Sequence, residues 1–301
     1  MTLQPEPVAH PDFERQQHAL ATFNHGRLAP KLSDAADRMS PADEAVWRQC
    51  EIDFVEAARA GIAPLLVRLP ADADAFIRWY EALKDTGPGQ GDALFPWLAE
   101  SATAGQMRWF MQQEVAGEAG FDDLVALTQL RLPVRPKLEM ARNYWDEMGR
   151  GNEKGMHGPM LERLAAHMNV AAETGEIVPE ALALGNMMMA LATNRHYAYQ
   201  AIGALGVIEL TAPTRAVYVN AGMKRLGVPA RARHYFALHA VLDVQHSASW
   251  NREILRPLVA EDPRRARPIA EGALLRLVCG ARCFERYRRH FGLTDQAALS
   301  A

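Results

Sequence analysis

Apolar residues return every three or four positions along almost the whole chain, and nowhere do they alternate over two between turn residues. One stretch shows the pattern clearly. Ser40 followed by Pro41 and Asp43 is a helix start, with a capping hydroxyl and a proline at the first helical position. Val46, Cys50, Phe54, Val55 and Ala58 then recur on one face, and Gly61 is a natural stop. The same spacing runs through about 72–83, 106–115, 122–130, 137–148 and 159–170, and later through about 180–205, 207–226, 231–258 and 264–291. Each such segment has an apolar stripe that only another helix can cover, so the expectation is all-α, a compact bundle of roughly eight or more helices. No strand pattern and no fixed-period repeat competes with it. Residues 1–38 are expected as an N-terminal extension that wraps the surface or moves, and 39–295 as a single domain. The glycine-rich run 87–92 is the best internal boundary and is expected to be flexible.

Composition narrows the class of function. Thirty-three basic against 36 acidic residues leave a formal charge of −3 in 301 residues, with 49% apolar residues and pI near 6.4. Such a chain has no general electrostatic reason to bind nucleic acid, and a small-molecule substrate is the better expectation. The three cysteines, Cys50, Cys279 and Cys283, are too few for a secreted disulfide framework, which fits a cytoplasmic protein. Cys279 and Cys283 are read as small buried residues of a C-terminal helix. The N-terminus lacks the basic-then-apolar pattern of a secretory signal. The longest apolar stretch, 181–193, is interrupted by Gly185 and Asn186 and falls short of the roughly 20 residues that a membrane span needs. The arginines of the C-terminal segment (Arg264, Arg265, Arg267, Arg282, Arg286, Arg288 and Arg289) read as a solvated helix face.

The sharpest local feature is His239-x3-Asp243-x2-His246 in an otherwise apolar segment. At about 100° per residue, offsets of four and seven bring the three side chains into a stripe about 60° wide. A single histidine there would be an ordinary hydrogen-bonded residue. Two imidazoles bracketing a carboxylate are costly to bury without a cation, and they suit iron, manganese or zinc.

Other ionisable residues then gain interest. Glu209 lies in the apolar run 202–210, with Pro213 four residues on and expected to bend the helix. Glu114 ends the segment beginning at Trp109. Glu147 and His157 flank a glycine-rich turn, 149–155, that could bring both inward. Each alone would be structural or exposed. Ferritin-like diiron bundles use a Glu-x-x-His repeat, and none of the ten histidines has Glu three positions before it. Haem through His10, His18 or His25 is a weak alternative, and no phosphate loop or dinucleotide motif is present. Arg195, Tyr197 and Tyr199 read as ordinary packing residues, and Met187, Met188 and Met189 as core filler.

In their order and spacing, Glu114, the Asp146-Glu147-x-Gly149-x-Gly151 turn, His157, Glu209 and His239-x3-Asp243-x2-His246 resemble the haem-oxygenase-like diiron oxidases. The likeness covers about residues 90–260. It implies a haem-oxygenase-like helical bundle and a cofactor of two non-haem irons, Fe(II) or Fe(III), with O2 as co-substrate. The metal ligands it implies are Glu114, Glu147, His157, Glu209, His239, Asp243 and His246. Glu147 matches a branch with an extra carboxylate ligand and is the expected catalytic residue, shifting between free and bound. That branch favours N-oxygenation of an amine or amino acid, with oxidative C–C cleavage or desaturation of an amino acid or fatty acid as the alternative. A metal-free or haem-binding protein of the same fold is the alternative from a different class. An external electron donor and a homodimer stay open as partners, and no membrane is expected.

Four carboxylates (Glu114, Glu147, Glu209, Asp243) and three neutral imidazoles would balance two ferrous ions, so a filled site could be buried. Empty, the carboxylates would repel, raising their pKa values or opening the helices. The turn at 149–155 is then the segment expected to loosen.

Overall fold

The structure is a computed structural model and describes residues 11–32, 39–117, 120–170 and 176–293. Among these residues there are only helices and connecting turns, as the periodicity requires. In chain order they are α1 (Pro11–Leu28), α2 (Pro41–Ile62), α3 (Ala73–Thr86), α4 (Leu94–Glu100), α5 (Ala104–Gly117), α6 (Phe121–Thr128) and α7 (Val134–Glu147). They continue as α8 (His157–His167), α9 (Pro179–Thr193), α10 (Ala198–Arg225), α11 (His234–Trp250), α12 (Arg256–Glu261) and α13 (Ala266–Phe291). Ser40 caps α2 as expected, its hydroxyl accepting from the Asp43 amide at 3.1 Å. None of the helices is long and apolar enough to cross a membrane.

α10 is the central helix and packs most extensively against α11 and α13. Two glycines make the second contact. A Cβ on Gly203 would lie 1.9 Å from the carbonyl oxygen of Ile269, and one on Gly272 would lie 1.8 Å from that of Gln200. The two backbones touch there, and no side chain fits between them.

The segments expected at 180–205 and 207–226 divide elsewhere. The chain breaks at Asn194, whose side chain accepts from the His196 amide at 3.0 Å and starts the 3₁₀ turn Arg195–Tyr197. α10 then runs unbroken past Gly206. That glycine admits the Trp250 indole and the Tyr80 hydroxyl rather than ending a helix. Pro213 lies inside α10 and leaves the Glu209 carbonyl without its helical donor. α11 passes into α12 through a π turn, Asn251–Leu255.

Two further expectations are corrected. The run 87–92 is not a flexible boundary: Gly89, at φ +75°, is packed on Ala281 and Phe284 of α13, and Asp92 is ion-paired with Arg288. At the N-terminus, residues 11–28 form a helix docked on α9. Leu20 and Phe23 are buried, and Asn24 donates to Asn186 Oδ1 at 3.0 Å. Residues 1–10 and 33–38 of the expected extension lie outside the described residues. Cys279 and Cys283 are buried on α13 as expected. Most of the C-terminal arginines lie near acidic side chains, including Arg286 with Glu180 and Arg267 with Glu271.

Candidate metal centre

Four helices deliver the site. α7 ends at Glu147 and α8 begins at His157. The turn between them folds back on itself, with Gly149 at φ +61° seated against the backbone of Gly155. Only glycine holds that φ without penalty while leaving room for the second strand of the turn. The result is a 2.6 Å contact between His157 Nδ1 and Glu147 Oε2, both buried. α10 contributes Glu209, and α11 contributes His239, Asp243 and His246.

The donor atoms fall into two groups. Those of Glu147, His157 and His239 lie within 4.8 Å of one another, and so do those of Glu147, Glu209 and His246. Glu147 belongs to both. In the first group the two imidazole rings meet edge to face, with centroids 4.7 Å apart. His239 Nδ1 donates to the Tyr235 carbonyl at 2.7 Å, which leaves Nε2 as a lone pair. Burial, aided by the neighbouring His157, lowers the His239 pKa to about 4, so the ring is neutral at pH 7.

The second group is held by further polar contacts. Asn143, one turn before Glu147, donates to Glu209 Oε1 at 2.6 Å and lies 3.2 Å from His246 Nδ1. On the far side of that ring, Nε2 sits 3.2 Å from Asp146, which accepts from Arg150 at 2.6 Å. A carboxylate behind an imidazole fixes its orientation and raises its basicity. Burial acts to lower the His246 pKa, but Glu209 and Asp146 outweigh it and hold it at about 9.

Asp243 lies between the two histidines of α11. Burial, and then the charges of Glu209 and Glu147, raise its pKa to about 10, and its buried Oδ1 has no hydrogen-bond partner among the described residues. Glu114 enters neither group. It lines the adjoining cavity, where burial raises its pKa against the pull of Arg215 and Arg276.

A family profile described as iron-containing redox enzyme matches residues 108–281, more than half of the chain and a span within which all seven of these positions fall. The chain belongs to the iron-containing redox enzymes. No curated protein matches it. Among solved structures it is similar to a CADD-like protein of unknown function from Nostoc punctiforme, in two crystal structures. Both give 16% identity and a TM-score of 0.54, covering 72% or 74% of this chain and 97% of that one. A domain of unknown function with a heme oxygenase-like fold from Shewanella denitrificans is 14% identical, with a TM-score of 0.48 over 74% of this chain and 93% of that one. The expected haem-oxygenase-like helical bundle is the fold of this iron-containing redox enzyme.

The side chains fit the metal that the family implies. Carboxylate and neutral imidazole donors suit iron. Three acidic side chains, one with an unsatisfied buried oxygen, are packed where only protons or cations can offset their charge. Asp243 and His246 hold protons in the metal-free geometry, at positions where a cation would displace them.

Asn143, Tyr235, Arg215 and Arg276 were not singled out by the motif, and Asp146 was noted only as part of the turn. Arg195 donates to the carbonyls of Thr128 and Leu130, and Tyr197 donates to Glu56 at 2.7 Å, so both are packing residues as expected. Of the histidines considered for haem, His25 is exposed, His18 is half-buried on α1, and His10 lies outside the described residues.

Proposed function

We propose that this iron-containing redox enzyme is a non-haem diiron oxidase or oxygenase that uses O2 to oxidise a small organic substrate. The single observation that carries the reading is the position of Glu147, whose carboxylate belongs to both three-residue groups. One carboxylate shared by two sets of donors is an arrangement that suits a pair of cations. Glu147, His157 and His239 would hold one iron, and Glu147, Glu209 and His246 the other. Asp243, with its unpartnered oxygen, and Glu114, in the cavity wall, complete the acidic set. Two ferrous ions supply the means to bind and reduce O2.

The chain's own groups supply the rest. His239, neutral and fixed through Tyr235, offers a lone pair without a proton to lose. His246 and Asp243 are proton reservoirs that empty as metal enters. An interior cavity of about 140 Å³, bordered by Glu114, Glu147, Glu209, His239 and Asp243, is where substrate would meet the centre. N-oxygenation of an amine or amino acid is the reaction proposed first. It inserts one oxygen atom and needs two electrons and two protons from an external donor to release the other as water.

Anaerobic Fe(II) titration of the wild type and of His239→Ala tests the reading, followed by O2 exposure and a search for a transient visible absorption. Two irons per chain are expected in the wild type and fewer in the variant. Less than one iron per chain, or a Soret band, overturns it. Mass spectrometry of candidate amines and fatty acids then separates oxygenation, at +16 or +32, from cleavage or desaturation.

A further inference from the structure

Two arginines line the same cavity. Arg215 comes from α10 and Arg276 from α13, and Arg276 interrupts an apolar run, Leu274-Leu275-Arg276-Leu277-Val278. Among the described residues neither guanidinium has a hydrogen bond or an ion pair. Arg215 does lie 5.7 Å over the Phe284 ring, a cation–π contact that uses none of its N–H donors. Glu114 acts on both, and Asp243, which holds its proton in the metal-free protein, acts on Arg215 alone. Two cations against one carboxylate leave that end of the cavity one negative charge short. Burial and the neighbouring Arg276 lower the Arg215 pKa to about 10, so the side chain is still charged at pH 7.

Both arginines are half-buried and line the cavity, and holding unneutralised guanidiniums largely out of water is costly unless an anion arrives. Phe95, Leu184, Ile208, Val219 and Phe236 contribute an apolar remainder to the cavity wall. About 140 Å³ is close to the roughly 150 Å³ of an engineered cavity that admits benzene. We infer that Arg215 and Arg276 bind the carboxylate of the substrate, a small acid whose apolar or amine-bearing body reaches toward Glu147 and His239. Planar N–H forks match a carboxylate edge to edge. This deepens the diiron reading and rests on it, because it takes the cavity beside that centre as the substrate's place.

Calorimetry on the iron-loaded full chain tests the assignment, with benzoate and hexanoate compared with benzamide and hexanamide. The acids should bind at least 10-fold more tightly than the amides, and Arg215→Gln or Arg276→Gln should erase that preference. Phenyl phosphate, a dianion, should bind more weakly than benzoate, and the reverse order overturns the carboxylate assignment. So does equal binding of acids and amides, or an acid preference that survives in folded glutamine variants. Should those variants fail to fold, Arg215→Lys and Arg276→Lys keep the charge but lose the fork. They should lose at least threefold in benzoate affinity with benzamide unaffected, and undiminished benzoate binding sinks the proposal. Iron per chain is measured in every preparation. Two irons without acid preference removes the arginine assignment alone. Arginine-dependent acid binding by a chain that holds no iron removes the diiron reading and leaves an anion site.

Discussion

The two groups that share Glu147 differ in how they are held. Glu147, Glu209 and His246 have a surrounding layer in which Asn143 reaches Glu209 and His246, Asp146 reaches His246, and Arg150 holds Asp146. Glu147, His157 and His239 have the Tyr235 carbonyl and a glycine turn. The first of these groups carries two carboxylates, the other only the shared one. Charge and support therefore fall on the same side. A metal ion at the Glu209 side meets more negative charge and donors already oriented. One at the His157 side depends on a turn staying closed. Unequal retention of two metals follows from this asymmetry.

The largest effect should come from the residue common to both. Glu147→Gln removes the only carboxylate of one group and half of those of the other. Iron should fall from two per chain to at most one, bound more than 10-fold more weakly, as read by anaerobic titration. Two irons at undiminished affinity would mean that Glu147 is not shared. Next in size is Asp146→Ala, which takes the carboxylate from behind His246. Loss of such a partner costs 10–100-fold in metal affinity. Here it should weaken the more tightly held iron and leave the other, whereas His239→Ala should do the opposite.

Much of this was legible in the residues. The three-and-four spacing forced an all-α bundle, and the α11 stripe held His239, Asp243 and His246 to one side of a helix. What periodicity could not supply was which partner each face meets. Gly206 read as a break because isolated glycine weakens a helix, yet there it makes room for Trp250 and Tyr80 from other helices. The run 87–92 read as loose because its glycines favour turns, while its packing on α13 is a tertiary fact. Arg276 is a missed signal of another kind. A single charge in an apolar run was reason enough to mark Glu209, and Arg276 has the same surroundings but was not marked. Asn143 and Asp146 lie four and one residues before Glu147, and their roles appear only once α11 is laid beside α7.

Gly149→Ala tests the weaker side without touching a donor. A side chain at φ +61° costs about 1–2 kcal/mol in left-handed backbone strain. The added Cβ would also lie 2.4 Å from the Gly155 carbonyl carbon. Thermal unfolding should fall by a few degrees, and a chelator should strip the first iron faster while the second dissociates at the wild-type rate. Equal acceleration of both losses would show that the turn supports the whole centre and that the asymmetry is not local.

The smallest effect is a pH slope, and it separates the two groups by charge alone. In the metal-free protein Asp243 keeps its proton to about pH 10 and His246 to about pH 9, whereas the unfolded chain releases those protons near 3.8 and 6.5. Between pH 7 and 9 the folded state therefore binds more protons than the unfolded one, and stability must fall as pH rises. His239, lowered to about 4, is deprotonated in the folded state and mostly so in the unfolded chain, so it adds only a small slope of opposite sign near pH 7. Metal entry displaces the same protons, so the stabilisation gained on iron loading should grow from pH 7 to 9. Melting temperatures of metal-free protein at these pH values should decline in the wild type and in His239→Ala alike, and the decline should be shallower in Asp243→Asn and His246→Gln. If all four slopes coincide, the protons are not held on the Glu209 side, and the charge difference between the two groups is not what sets their unequal hold on metal.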